Sequence, residues 1–537
     1  MNFSTLDFII FAAYCAVILG VGLFVSRDKK GHEKNAEDYF LAGKSLPWWA
    51  IGASLIAANI SAEQFIGMSG SGYAVGLAIA SYEWMAAITL IIVGKYFLPI
   101  FIEKGLYTIP EFVEKRFSTQ LKTILAIFWI ALYVFVNLSS VLYLGSIALE
   151  TIMGIPMMYG VVGLALFAAG YSLYGGLSAV AWTDVIQVVF LILGGLVTTY
   201  LALDVVSDGQ GMLAGFNHLI DAAPAKFHMI LDQENSEYIN LPGIWVLVGG
   251  LWVANFYYWG FNQYIIQRTL AAKSLKESQK GIALAAFLKL IIPFIVVVPG
   301  IAAYVITSDS EIMVRVGEIG FLNKPEIGTS DEAYPWLLQL LPSGLKGVAF
   351  AALTAAVVSS LASMLNSTAT IFTMDIYKQY INKQPSDKQL VNTGRLAAGM
   401  ALAIACVMAP LLGGIDQAFQ FIQEYTGIVS PGILAVFMLG LFWKKTNNQG
   451  AIWGAIISVP IAIGFKFVPN MPWMNQMGLT AVLTMGFIIL ISQLTGKGAD
   501  DEKGISLEGD LFKTSPVFNI SAFAILIITA ALYALFW

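Results

Sequence analysis

Charged side chains are scarce in this sequence. Of its 537 residues, 12% are Asp, Glu, Lys or Arg, while 58% are apolar. A soluble domain carries roughly twice that charged fraction, and several apolar runs are long enough to cross a membrane. The composition therefore excludes a soluble enzyme, a disordered chain and a coiled coil, and it indicates an integral membrane protein embedded in a lipid bilayer.

Cysteine, histidine and excess positive charge are also nearly absent. Cys15 and Cys406 both lie inside apolar runs, and the three histidines lie in polar connections. This pattern excludes a disulfide framework and a histidine-based metal site or catalytic triad within the membrane. The net charge of −5 offers no basic surface to nucleic acid. We expect no enzymatic activity, no organic cofactor, no nucleic-acid partner and no obligatory protein partner.

Apolar runs of spanning length recur fourteen times, and none alternates at period two as a membrane β-barrel would. The predicted helical spans lie near residues 5–26, 47–70, 76–102, 123–150, 156–174, 178–203, 242–269, 281–306, 345–376, 392–412, 418–443, 449–468, 474–494 and 518–537. Lysine and arginine fall largely on alternate connections. The positive-inside rule then places both termini outside and the basic loops in the cytoplasm.

Polar side chains interrupt the second predicted span. Asn59, Ser61, Glu63 and Gln64 cluster at its middle, and glycines follow from Gly67. Lipid cannot satisfy these groups, so they must face protein or water. An unwound helix here would free backbone carbonyls to bind a cation. The alternative is a polar contact between helices that binds no ligand.

The seventh predicted span combines aromatic and amide side chains around a glycine. It contains Asn255, Tyr258, Trp259, Gly260 and Asn262. Flat rings stack on the apolar face of a sugar ring, and amides bond its hydroxyls, so this segment favours a sugar site. The alternative is an aromatic packing cluster.

Two opposite charges lie within predicted spans. Glu83 in the third and Lys289 in the eighth would each cost about 2.5–3.5 kcal/mol alone in a membrane. A shared polar cavity would offset that cost, with Glu83 accepting from substrate hydroxyls and Lys289 donating. The alternative is a purely structural ion pair. Asp184, near the cytoplasmic start of the sixth span, could attract a cation, but we expect it to be solvated at the interface.

Hydroxyl groups line the ninth predicted span. Ser359 and Ser363 share one face, and Ser360 and Ser367 share another. Their oxygens are ligands that suit a small cation, although on this segment alone a packing seam of small residues is favoured. The eleventh span begins with further amides within residues 417–425 and can break at 430–432.

The two broken spans, the second and the seventh, are five spans apart and have opposite orientation. They therefore suit an inverted five-plus-five repeat. We predict one transmembrane domain over 1–537. Its parts are a peripheral first helix at 5–26, a first repeat at 47–203, an inverted second repeat at 242–443, and peripheral C-terminal helices at 449–537.

Three long runs resemble the sodium:solute symporter family. They are AANISAEQFIGMSG from Ala57, GLWVANFYYWGFNQYIIQRTL from Gly250, and VSSLASMLNSTATIFTMD from Val358. The resemblance covers essentially the whole chain. It implies an all-α membrane protein of about fourteen helices with the five-plus-five LeuT-like fold. It also implies uptake of a hexose, galactose or glucose, with sodium across the plasma membrane, which in a bacterium is the inner membrane, by alternating access.

The resemblance also assigns residues. Substrate would be bound by Asn59, Gln64, Glu83, Asn255, Tyr258, Lys289 and Gln423, gated by Met68, Tyr82, Trp259 and Phe419. Sodium would be held by the carbonyls of Ala57, Ile60 and Ala356 and the hydroxyls of Ser359 and Ser360. Ala86 replaces a serine of galactose-transporting members, which leaves the preferred hexose open. The alternatives are another small solute such as an amino acid, a sodium-dependent sugar sensor, and a channel.

Overall fold

A computed structural model describes residues 3–25, 27, 35–106, 108–319, 326–413, 417–507 and 509–537. Within these residues the regular structure is helical, apart from one isolated bridge between Leu46 and Ala272. The all-α prediction is therefore confirmed for the described chain.

Ten described helices are long and apolar enough to cross a membrane. They are Thr5–Val25, Leu77–Glu103, Thr119–Met153, Ser172–Val206, Leu275–Ser308, Leu345–Ile381, Asp387–Leu412, Asn448–Phe465, Trp473–Gly496 and Pro516–Leu535. Two bent pairs raise the number to twelve: Ser236–Val248 with Gly250–Phe261, bent by 78°, and Ala418–Thr426 with Ser430–Phe442, bent by 49°. The other two predicted spans coincide with a broken helix over 48–74 and the short helix Met157–Gly170. Fourteen crossings remain a prediction.

The first broken helix consists of Trp48–Asn59, a π-helical turn Glu63–Met68, and Ser69–Ala74. Ile60 is extended between the first two pieces, with φ −79° and ψ 93°. Small residues let this helix approach the long helix Leu275–Ser308 closely, since a Cβ on Gly52 would lie 2.9 Å from the carbonyl oxygen of Gly281. The break is therefore buried in protein, which is where irregular backbone is tolerated at the depth of a membrane.

The second broken helix consists of Gly250–Phe256, a π-helical turn Tyr257–Phe261, and Gln263–Leu270. Asn262 is extended at the break, with φ −82° and ψ 122°. At its start, a Cβ on Gly250 would lie only 1.9 Å from the carbonyl oxygen of Met474, so only glycine fits there. The sequence predicted a break near Gly260, and the extended residue lies two positions later.

The protein interior lies around the serine helix, Leu345–Ile371, and its π-helical end Phe372–Ile381. In its most apolar stretch 94% of the residues are buried, against 17% for Thr5–Val25. The serine helix packs on the helical segment Met157–Val206, which Gly176 interrupts with a φ of 64°. The first helix is thus far less buried than the serine helix, while its peripheral role and the division into two repeats remain predictions.

The first and last helices each contact one of the two long polar connections. Ser4 contacts Ser343, and Met229 donates its amide to the carbonyl of Phe536. Lys226 donates to the carbonyl of Tyr73 at 3.0 Å, which joins the loop before Met229 to the end of the first broken helix. The number of crossings and the side of the membrane on which the termini lie remain predictions.

Candidate functional site

A cavity of about 50 Å³ lies where the two broken helices meet. It brings together all seven predicted substrate residues: Asn59, Gln64, Glu83, Asn255, Tyr258, Lys289 and Gln423. Glu63, Ala86 and Ala254 line it as well, together with Tyr82, Trp259 and Phe419. Ligand sites usually occupy at least 300 Å³. A hexose would therefore enter only after the lining side chains separate.

Lys289 is the centre of the polar network in this cavity. Its ammonium group donates to Glu83 Oε2 and to Asn59 Oδ1, and it lies 5.1 Å from the ring centre of Trp259. Lys289 and Glu83 side chains are 1% and 3% exposed. Because each ion neutralises the other, the free-energy cost of burying them in the membrane interior is reduced. The predicted shared polar cavity is present, and the pair also joins the third and eighth predicted spans.

Aromatic rings close the two sides of the cavity. Tyr258 accepts hydrogen bonds from Asn59 at 3.0 Å and from the hydroxyl of Tyr264 at 2.5 Å. On the other side, the Tyr82 and Phe419 rings meet edge to face with centres 5.0 Å apart. Met68, the remaining predicted gate residue, is buried but is not among the residues that line the cavity.

The side chain of Gln64 replaces backbone bonding at the first break. The amide of Ser61, which in a continuous helix would donate to the carbonyl of Ala57, donates to Gln64 Oε1 at 2.9 Å. The amide of Gln64 donates to the Ser61 carbonyl at 3.1 Å, rather than to that of Ile60. Two carbonyls predicted to hold sodium, those of Ala57 and Ile60, thus lose their usual helical donors.

The serine helix meets the first broken helix beside these freed carbonyls, at Ala58. Ser360 donates to the carbonyl of Ala58 at 2.9 Å, and Ser359 donates to Asp184 Oδ1 at 2.5 Å. Ala356, the remaining predicted ligand, is buried one turn before Ser360 on the same helix. All five predicted sodium residues therefore lie at the junction of these two helices. Their role as ligands remains a prediction.

Asp184 is not solvated at the membrane interface, so that expectation is wrong. Its side chain is fully buried, accepts from Ser54 at 2.5 Å and pairs with Arg268 at 3.3 Å. Arg268 is equally buried, and it also donates to Ser363. Packing of the second broken helix over the start of the sixth predicted span excludes water there, and the guanidinium replaces it.

Sequence reasoning did not identify three residues as important here: Arg268, Tyr264 and Glu63. Arg268 and Tyr264 follow the break in the second broken helix, and an arginine within an apolar span is itself a signal of a buried partner. Glu63 was noted as polar but not placed in the site. The family resemblance assigned its neighbour Gln64 to the substrate site. Beside an irregular turn, the position of a residue along the helix does not show whether its side chain enters the cavity.

Comparison with known proteins agrees with this architecture. Residues 39–458 match the model of the sodium:solute symporter family. The chain is 68% identical over 535 residues to a sodium/glucose cotransporter of Vibrio parahaemolyticus, covering 99% of this chain and 98% of that protein. It is 33% identical to the human sodium/myo-inositol cotransporter 2, covering 84% of this chain and 68% of the human protein.

A solved structure shows the same fold. It is the substrate-bound, outward-open state of a Na⁺-coupled sialic acid symporter, which aligns with a TM-score of 0.79 at 23% identity and covers 91% of this chain and 98% of that one. The resemblance predicted from the sequence is confirmed. The chain belongs to the sodium:solute symporter family and is a multi-pass, sodium-coupled membrane transporter rather than an enzyme.

Proposed function

We propose that this transporter couples inward sodium movement to uptake of a hexose by alternating access, in the inner membrane of a bacterium. The observation that carries the proposal is the Glu83–Lys289–Asn59 network inside the cavity between the two broken helices. The relatives named for glucose and myo-inositol support a polyhydroxylated substrate.

The chemistry of the cavity suits a neutral, hydroxyl-rich ring. Glu83 accepts hydrogen bonds and Lys289 donates them, while Tyr258 and Trp259 offer faces for stacking. An amino acid would need a positive group for its carboxylate. Lys289 is already neutralised by Glu83, which disfavours that alternative. A neutral sugar carries no charge that the Glu83–Lys289 pair would repel.

The proposed sodium site uses the carbonyls of Ala57, Ile60 and Ala356 and the hydroxyls of Ser359 and Ser360. Two of these carbonyls have lost their helical donors at the break. Hard oxygen ligands of this kind suit a small cation. Asp184, which accepts from Ser359, would add negative charge near the bound ion.

Coupling would follow because both ligands use the first broken helix. Sodium would bind the carbonyls at the break, while Asn59 and Gln64, on either side of it, line the sugar cavity. Each ligand would therefore order the segment that the other needs, which is mutual stabilisation of one state. Separation of Tyr258 from Asn59 would open the way out for the sugar.

The sodium gradient supplies enough free energy for accumulation. One sodium ion moving through about 100 mV yields about 2.3 kcal/mol, and a tenfold concentration gradient adds about 1.4 kcal/mol. With one sodium per sugar, their sum of about 3.7 kcal/mol supports roughly 500-fold accumulation.

Ala86 bears on which hexose is preferred. It lines the cavity with 2% of its surface exposed, and its methyl group cannot make the hydrogen bond of a serine. A missing neutral hydrogen bond is worth about 1 kcal/mol. We therefore expect weaker or altered discrimination among hexoses, rather than a change of substrate class.

The test is uptake of labelled galactose by proteoliposomes with an inward sodium gradient, repeated with potassium in place of sodium. Glucose, myo-inositol and proline serve as competitors. We expect sodium-dependent accumulation that the hexoses reduce and proline does not. Folded protein that binds no hexose would refute the proposal. Tight, sodium-dependent binding without accumulation would instead favour a sugar sensor.

The sodium site is tested by Ser360→Ala, with Ser367→Ala as its matched control. Ser367 lies two turns later on the serine helix and bonds Gln267 at 2.9 Å, away from the first broken helix. Losing one polar contact of about 1–1.5 kcal/mol should raise the sodium concentration for half-maximal uptake by roughly tenfold. An equal change in both variants would remove Ser360 from the site.

A further inference from the structure

The cavity contains a second carboxylate that the proposed function does not use. Glu63 lines the cavity beside Gln64, and 8% of its surface is exposed. Its Oε1 atom is buried and has no hydrogen-bond partner among the described residues. A buried carboxylate is usually paired or hydrogen-bonded, since its charge otherwise has nothing to compensate it.

The charges in the cavity do not balance if Glu63 is ionised. Lys289 is the cation of the cavity, and its hydrogen bonds go to Glu83 and Asn59. The cavity lining would therefore contain one positive charge and two negative charges. Two carboxylates that share a small site with one cation cannot both remain charged without a large cost.

Besides its own continuation Ser69–Ala74, the π-helical turn Glu63–Met68 packs mainly on Ser139–Met153, Leu275–Ser308, Ser330–Glu332, Ala333–Leu338 and Ala418–Thr426. Among these segments, only Leu275–Ser308 carries lysine, arginine or histidine. The titratable groups of these segments are Tyr143, Glu150, Lys276, Glu277, Lys280, Lys289, Tyr304, Asp331, Glu332, Tyr334, Glu424 and Tyr425. The cavity lining adds Tyr82, Glu83 and Tyr258, and Tyr264 donates to Tyr258. Lys276 and Lys280 lie in the first two turns of the long helix, where Lys280 pairs with Glu277.

A proton fits this position better than a metal ion. Sodium would need several oxygen ligands around the carboxylate, yet Glu63 Oε1 has no hydrogen-bond partner in the part of the chain that the structure describes. Within the described residues, no three Asp, Glu, His or Cys side chains come together to hold a metal. A proton needs no additional ligand.

We propose that Glu63 carries a proton in the sugar-binding state, whereas Glu83 in the same cavity is ionised. The neutral carboxyl group of Glu63 then donates a hydrogen bond to a sugar hydroxyl, and Glu83 accepts one. The proton is taken from water when the cavity is open. This inference deepens the proposed hexose site and rests on it.

The first experiment compares the pH dependence of hexose uptake in wild type and Glu63→Gln, with the same pH on both sides of the membrane. Wild-type uptake should fall at alkaline pH, as Glu63 loses its proton. The amide of glutamine keeps the shape and donor of the neutral acid but cannot ionise. Uptake by Glu63→Gln, divided by its own value at neutral pH, should therefore stay flat over the same range.

Glu83→Gln is the matched control in the same cavity. Removing the charge that neutralises Lys289 should lower uptake at every pH, by more than about 100-fold for a broken buried pair. Identical pH profiles for wild type and Glu63→Gln would overturn the proposal. So would a Glu63→Gln variant that is folded and as inactive as Glu83→Gln, because an ionised Glu63 would then be required.

Infrared spectroscopy tests the proton without any transport. At neutral pH the wild-type protein should show the carbonyl stretch of a protonated carboxyl group, and Glu63→Gln should lack that component. The absence of any difference between the two spectra would refute a protonated Glu63. If wild type took up no hexose, the proposed function would fail, while this spectrum would still decide the charge state of Glu63.

Discussion

At the scale of single residues, Lys289 shows how the environment defines a role. An ammonium group alone in a membrane interior is unfavourable, and the sequence named Glu83 as its counterpart but left open a shared cavity or a purely structural ion pair. The structure supplies Glu83 and Asn59 as acceptors and the Trp259 ring beside them. Lys289 is thereby both a structural ion and the main hydrogen-bond donor of the cavity.

The Glu83–Lys289 pair predicts a specific pattern of stability. Lys289→Met leaves Glu83 buried without its cation and should lower the free energy of unfolding by about 3–5 kcal/mol. The double variant Glu83→Gln with Lys289→Met removes both charges and should recover most of that loss. Thermal unfolding in detergent measures the stability, and hexose uptake should remain abolished in both. A double variant as unstable as the single one would contradict the buried pair.

Glu63 and Arg268 mark the limit of inference at this scale. Both were visible as polar residues in apolar spans, but their surroundings depend on residues that lie far away in sequence. Arg268 pairs with Asp184, 84 positions earlier. For Glu63 the informative finding is that Oε1 lacks a hydrogen-bond partner. Neither the presence nor the absence of a distant partner can be deduced from helical periodicity.

At the scale of elements, the broken helices were largely predictable. Polar clusters with glycine nearby indicated both breaks, and the extended residues Ile60 and Asn262 lie within those clusters. The structure adds the mechanism of the first break, in which Gln64 takes the amide of Ser61. The replacement of a backbone acceptor by the Gln64 side chain depends on a local geometry that the amino-acid composition does not specify.

A second element, the helix Ile109–Arg116, is attached to the helix that follows it. Glu114 accepts from Lys122 at 2.6 Å and from Thr119 at 2.8 Å. Partial burial tends to raise the pKa of Glu114, but these two hydrogen bonds and the Lys122 charge outweigh it, so the pKa is lowered. The contact therefore stabilises the fold above the ordinary glutamate pKa of about 4.3 and is lost as pH falls through the lower folded value.

Glu114→Gln should consequently lower the thermal unfolding temperature at neutral pH. The difference from wild type should shrink as the pH falls below about 4, because wild type then loses the same interaction. Glu111→Gln is the control, since its bridge to Lys115 lies at the more exposed surface and should contribute less. A difference that does not change with pH would show that the charge of Glu114 is not responsible.

At the scale of the whole molecule, the two ends of the bundle differ in charge. Met229 contacts Phe536 and Ser343 contacts Ser4, and the sequences of the long connections to which Met229 and Ser343 belong, 204–241 and 307–344, are mostly acidic. At the other end, Arg116 is buried and joins three segments by donating to Gly440, Thr446 and Asp501. Burial lowers the pKa of Arg116, and the Asp501 carboxylate opposes that change.

This charge difference predicts the orientation, with the termini outside. Single cysteines at exposed positions, Gln233→Cys at the acidic end and Ala499→Cys at the basic end, test it in a background of Cys15→Ser and Cys406→Ser. A membrane-impermeant thiol reagent applied to spheroplasts should label the first, and should label the second only after permeabilisation. The reverse pattern would mean that the basic end faces outward.

The sequence by itself determined that this is an all-helical membrane transporter of the sodium:solute symporter family, and it indicated which spans would break. Hydropathy and the distribution of charge are local properties of the chain, so membrane spans can be predicted from the sequence alone. Only the tertiary structure decided that Glu83 lies against Lys289 inside a shared cavity, that Asp184 is buried against Arg268, and that Glu63 Oε1 has no hydrogen-bond partner among the described residues. Those outcomes depend on which distant helices pack together, and in a dry interior that packing decides which charges are compensated.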